Sequence, residues 1–148
     1  MKKTGKAIGY VCDIPIPGAG ELISKEEQRI RILKHVEKEA LELVSIYEDE
    51  KHTEDFINRP GVQNVLNCKE DFEVLLVERV WCLSRRMKDL LPFLEKLDSM
   101  DVQLVCTSYL WDYASQKVRR RYTEDLGERM RKEAKARAAT VRGKRQAA

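Results

Sequence analysis

The chain has 148 residues, with 28 Lys/Arg, 25 Asp/Glu and 43% hydrophobic residues. This suits one compact domain plus an extension, with a core that needs no disulfide or metal staple. No apolar run approaches the roughly 20 residues of a membrane span, and the start MKKTGKAIGYVCDIP lacks the apolar stretch of a secretory signal.

The four cysteines, Cys12, Cys68, Cys82 and Cys106, show no metal-ligand spacing, and only His35 and His52 could assist them. They read as reduced thiols in or near the core of a cytoplasmic protein, with no metal and no cofactor expected. The net charge of +3 is unevenly spread. Residues 117–148 hold 12 Lys/Arg against 4 Asp/Glu, a balance of +8 that leaves −5 on residues 1–116. An acidic body with a basic end points to an anionic partner for that end.

In chain order, AIGYV (7–11) is a short, partly β-branched run closed by a Pro/Gly-rich loop, and reads as a buried strand. From Lys25 to about Ala40, Ile30, Leu33, Val36 and Ala40 recur at helical spacing between charges. LELVSIYED (41–49) reads as a second strand, RPGVQNVLNC (59–68) as a short helix with Pro60 in its first turn, and FEVLLVERV (72–80) as the central strand. Leu83, Met87, Leu90, Leu91, Leu94 and Leu97 form the apolar face of the next helix, which Pro92 is expected to kink or split. VQLVCTS (102–108) is the last clear strand. From about Asp112 a single long helix is expected, with Val118, Tyr122, Leu126, Met130, Ala134, Ala138 and Val141 in steps of three or four and Gly127 as its weak point.

The order β-α-β-α-β-α-β-α implies an α/β fold with a mainly parallel sheet between helical layers. Residues 1–111 are expected to form this domain, and 112–148 a long basic C-terminal helix and tail. Function in such sheets gathers at the carboxyl ends of the strands, here the loops 12–24 and 80–85. PGAG (17–20) has neither the third glycine nor the lysine of a phosphate-cradling loop and reads as plain loop.

Several of these stretches together resemble the catalytic domain of the serine recombinases, the resolvase/invertase family. Its opening strand, of the type I-G-Y-A-R-V-S-x-x-x-Q, has counterparts in IGYV and, after an apparent insertion, LISKEEQ. An R-P pair opening a short helix is matched by NRPGVQNVL, and the V-V-x-K-L-D-R-L-G-R pattern by LLVERVWCLSR. A long, increasingly basic helix closes the set, as in EDLGERMRKEAKARAATVRGKR, so the resemblance spans nearly all of residues 6–145. It implies a resolvase-like three-layer domain. It also implies a metal-free chemistry in which a serine attacks a DNA phosphate and arginines neutralise the charge that builds there.

Carried over residue by residue, the nucleophile falls on Ser24 and the glutamine on Gln28, while Leu22 replaces the arginine two places before the serine. Aligned without an insertion, Cys12 replaces that arginine and Ile14 the serine. Arg59, Arg85 and Arg129 match further family arginines, but Trp81 and Cys82 stand where the third-strand pattern has aspartate and arginine. The resemblance gives Val118, Tyr122, Leu126 and Met130 a dimer interface, and Arg137, Arg142, Lys144 and Arg145 contacts along DNA.

SKEE is also a capping box. Ser24 can accept from the Glu27 amide while the Glu27 side chain reaches back, which accounts for the serine without chemistry. The expected protein is therefore a cytoplasmic, nucleoid-associated recombinase-fold homodimer that binds DNA with an impaired or inactive site, or a heteromer partner of an active recombinase. Two alternatives stand: an active serine recombinase using Ser24, and a flavodoxin-like interaction domain that does not act on DNA, in which helix 112–140 folds back onto the sheet. A membrane partner is not expected, because the thin Ala/Met/Val stripe lacks aromatic anchors.

Overall fold

In a computed structural model, the structure describes residues 5–16, 18, 20–108, 113–122 and 135. Four parallel strands form the central sheet in the order β4-β1-β5-β6: β1 is Lys6–Cys12, β4 Glu42–Asp49, β5 Val74–Val77 and β6 Gln103–Cys106. A second sheet is a small antiparallel hairpin of β2 (Ile14–Pro15) and β3 (Leu22–Ile23), lying inside what the sequence presents as loop. Its tip uses Gly18 and Gly20 at φ of +79° and +67°, a backbone region that side chains disfavour.

The helices are α1 (Lys25–Lys38), α2 (Pro60–Leu66), α3 (Met87–Ser99) and α4 (Tyr113–Tyr122). Alternation along β1 sends Ala7 and Val11 to one face, where Ile32 of α1 meets them with Val74 and Leu76. Gly9 lets α1 approach, since a Cβ there would stand 3.3 Å from Ile32 and 3.1 Å from Ile46. Ile8, Tyr10 and Cys12 face the other way, into a larger core with Val62 and Val65 of α2, Leu90, Phe93, Leu94 and Leu97 of α3, and Ala114 and Val118 of α4. The result is three layers: one helix, the sheet, then three helices. Phe56 and Phe93 meet edge to face at 5.4 Å inside the larger core.

Two expectations are corrected. Helix α3 is not split at Pro92 but continues from Met87 to Ser99. Pro92 is exposed, as is Lys88, the residue whose carbonyl a proline at this position leaves without its helical donor. The strand expected over 72–80 is ordered only at Val74–Val77, after which Val80–Cys82 forms a 3-10 turn. β5 shares the sheet interior with β1.

The described part of the last helix, α4, packs on the sheet. Val118 is fully buried, Tyr122 donates its hydroxyl to Asp98 at 2.9 Å, and Arg121 donates to the other Asp98 oxygen at 2.5 Å. Val118 is therefore committed to the chain's own core and unavailable to a partner. Of the expected long helix, residues 123–134 and 136–148 lie outside the described residues, and Lys135 pairs with Asp101 at 2.8 Å. No helix among the described residues is long and apolar enough to cross a membrane.

Candidate active site

The carboxyl ends of β1, β4 and β5 converge on Arg59, which sits at the N-cap of α2 and is 3% exposed. All five of its N–H groups are engaged. Nε donates to Thr53 Oγ1 at 3.2 Å, and Nη1 to the Tyr10 hydroxyl at 3.2 Å and the Cys82 carbonyl at 2.5 Å. Nη2 donates to the carbonyls of Thr53 at 2.5 Å and Leu83 at 3.2 Å. Tyr10 passes the chain on, donating to Asp49 Oδ2 at 2.8 Å, while Asp49 Oδ1 accepts from the Gly61 amide at 2.8 Å. A Cβ at Gly61 would lie 2.6 Å from the Asp49 carboxylate, so only glycine fits there. Burial pushes the Tyr10 phenol far above its ordinary range, and it remains a neutral bridge.

The end of β1 carries no serine and no arginine. Cys12 and Ile14, which replace them in the alignment without an insertion, are both fully buried. Cys82, at the arginine position of the third-strand pattern, is also fully buried. Burial raises the pKa of both thiols, so neither is an activated nucleophile. Gln28 holds this end of the strand, accepting from the Cys12 amide at 3.3 Å and donating to the carbonyls of Cys12 at 2.7 Å and Ile23 at 3.0 Å.

Ser24 is the N-cap of α1. Its Oγ accepts from the Glu27 amide at 3.1 Å, and Asp13 Oδ1 accepts from the Lys25 amide at 2.7 Å. One half of the capping box is formed; the Glu27 carboxylate instead pairs with Arg31 at 3.0 Å.

Arg85 is exposed. Its guanidinium stacks over the Trp81 ring at 4.2 Å, and Nη2 donates to the Pro15 carbonyl of the hairpin at 3.0 Å. Trp81 is half-buried against the larger core, with Arg79 approaching its ring at 6.0 Å. Arg79 also pairs with the buried carboxylate of Glu78. Arg59 and Arg85 are thus brought to the same 80–85 segment, one inside it and one on its surface. Arg129, Arg137, Arg142, Lys144, Arg145, Leu126 and Met130 lie outside the described residues.

Sequence reasoning missed Tyr10, Asp49 and the hairpin. The pairing of a strand tyrosine with an acid 39 positions later has no local signal. The hairpin was marked only by Ile14, Ile16, Leu22 and Ile23 around a Pro/Gly tip.

Comparison with solved structures finds the same fold in recombinase catalytic domains. The N-terminal catalytic domain of TP901-1 integrase superposes with a TM-score of 0.65 at 20% identity, over 93% of this chain and 97% of that one. A resolvase family site-specific recombinase from Streptococcus pneumoniae gives 0.57 at 20% identity, over 95% and 90%. The C-terminal catalytic domain of ISC1926 TnpA, an IS607-like serine recombinase, gives 0.55 at 15% identity, over 71% of each chain. At such identities the likeness is one of fold. No curated protein matches the chain. The family model for the resolvase N-terminal domain matches residues 20–148, a span that includes Ser24, Gln28, Arg59, Arg85 and Arg129. With the match covering most of its length, this chain belongs to the resolvase N-terminal domain family.

Proposed function

We propose that this protein is a resolvase-fold DNA-binding protein that dimerises and whose strand-cleaving site is impaired. The observation that carries the reading is Arg59. An arginine that should neutralise a reacting phosphate has every N–H spent on protein acceptors and 3% of its surface exposed. Cys82 and either Cys12 or Leu22 supply no charge at two further arginine positions. Losing one preorganised donor costs roughly 2.7–4 kcal/mol of transition-state stabilisation, so the combined loss slows cleavage by several orders of magnitude. DNA binding is supported by the balance of +8 over residues 117–148, with Arg137, Arg142, Lys144 and Arg145 as the proposed contacts. Dimerisation through Leu126 and Met130 is proposed from the family alone, as is pairing with an active recombinase.

The test incubates the full chain with a random-sequence duplex library and looks for protein–DNA links that survive denaturation. The expected result is salt-sensitive binding without a covalent adduct. A second reading, an active recombinase with Ser24 as nucleophile, is favoured by the position of Ser24 within the family match and by its partial exposure. It requires a covalent adduct that disappears in Ser24→Ala.

A further inference from the structure

The two flanks of α1 balance their charges differently. Toward β4, Lys25 lies 2.8 Å from Glu50 and 3.4 Å from Glu48, and Arg29 lies 3.4 Å from Glu48 and 3.5 Å from Glu26. Toward β6, Arg31, Lys34, His35 and Lys38 recur at helical spacing along one stripe. Arg31 pairs with Glu27, but neither Lys34 nor Lys38 has an acidic partner among the described residues. Like charges one turn apart oppose the helix that carries them; on this flank Glu27 offsets Arg31 and Glu39 acts on His35, which leaves Lys34 and Lys38 as the charges without an ion-pair partner among the described residues.

The stripe walls a cavity of about 340 Å³ whose remaining lining is Thr107 and Ser108, directly after β6. No carboxylate among the described residues lines it. Arg31 Nη1 donates to Ser108 Oγ at 3.2 Å, which steadies the guanidinium at the rim, and Arg119 donates to the Ser108 carbonyl at 3.2 Å. Thr107 Oγ1 is buried without a hydrogen-bond partner among the described residues, a state that an acceptor oxygen from outside the chain would relieve. A guanidinium, two exposed ammonium groups and two hydroxyls around a space that no described carboxylate lines match a tetrahedral oxyanion. His35, whose imidazole is kept more neutral than usual by burial, stands beside them as a reporter.

We propose that this α1–β6 groove binds a phosphate group and, resting on the DNA-binding reading above, that the phosphate belongs to the backbone of a duplex. Its lining shares no residue with the Arg59 and Arg85 region. It gives the acidic body a contact of its own, which would fix the orientation of the domain on DNA as well as its attachment.

The test compares the full chain with its Lys34→Gln/Lys38→Gln double variant. Both lysines are exposed, so the variant keeps the fold. Duplex affinity is measured across a potassium chloride series. The slope of log affinity against log salt is expected to become shallower by roughly 0.9, the contribution of the one phosphate that the groove no longer neutralises. The control pair Lys51→Gln/Lys69→Gln, exposed elsewhere on the body, is expected to leave the slope unchanged. An unchanged slope in the groove variant, or an equal change in the control, overturns the proposal. In parallel, inorganic phosphate is titrated at constant ionic strength while the His35 ring resonances are followed. If the unaltered chain fails to bind duplex, the DNA reading falls. A phosphate-dependent His35 shift that vanishes in the groove variant then upholds the groove as a site for a free phosphate ligand, and a flat His35 response overturns the groove as well.

Discussion

Arg59 Nη1 lies 3.2 Å from the Tyr10 hydroxyl, which itself donates to Asp49 at 2.8 Å. One buried guanidinium is thereby tied to the ends of β1 and β4, to the segment after β5, and to the start of α2. The residue that the family resemblance places at a phosphate is the one that holds these loops together.

Replacing Arg59 by Met leaves the carbonyls of Thr53, Cys82 and Leu83 without their donors. A loss of roughly 3–5 kcal/mol is expected in urea unfolding. Arg59→Lys should recover less than half of it, because an ammonium has three donors and no planar fork. Wild-type stability in Arg59→Lys would show that the clamp is not what Arg59 provides.

Ser24→Ala should lower stability by about 1 kcal/mol through the missing cap, whereas Ser24→Asp should leave it nearly unchanged. Thermal melts of the three proteins decide this. Equal melting temperatures for the Ala variant and the parent would remove the cap as the reason for the serine.

Alkaline pH should weaken the fold. Burial raises Tyr10 and Cys82 above their ordinary values, so the folded chain keeps protons that the unfolded chain releases near 8.5 for the thiol and near 10 for the phenol. Their contribution is complete below about pH 8.5 and is lost as pH rises, by at most about 1.4 kcal/mol per pH unit for each group released. His35 acts in the opposite sense. Its lowered value gives a contribution present above about pH 6.5 that declines as pH falls below it. Urea midpoints from pH 5 to 11 read both limbs. Tyr10→Phe should reduce the steepness above pH 10 without abolishing it, because burial also raises Tyr122, and a flat profile between pH 8 and 11 would contradict the burial of these groups.

A chain ending at Gln116 should lose cooperative unfolding, because it lacks Val118 and the Arg121 and Tyr122 hydrogen bonds to buried Asp98. One ending at Tyr122 should retain it. Circular dichroism during urea titration distinguishes the two. A cooperative, stable 1–116 chain would mean that α4 adds little to the core.

What the sequence determined by itself was local. Short runs of strand-forming residues marked the four strands of the central sheet, helical spacing marked α1, α3 and α4, and a serine three residues before a glutamate marked the cap of α1. These signals lie within one turn or one strand, where neighbouring residues decide the conformation. Tertiary structure decided the rest. Arg59 is a clamp because Tyr10, Thr53, Cys82 and Leu83 surround it, and their separations of up to 49 positions leave no periodic trace. Val118 reads as part of an open stripe until the sheet and α3 close over it, and the flank of α1 facing β6 reads as ordinary solvated charge until Thr107 and Ser108 complete a cavity beside it. Burial and charge balance depend on what the fold brings alongside each residue, and only the packed chain supplies that.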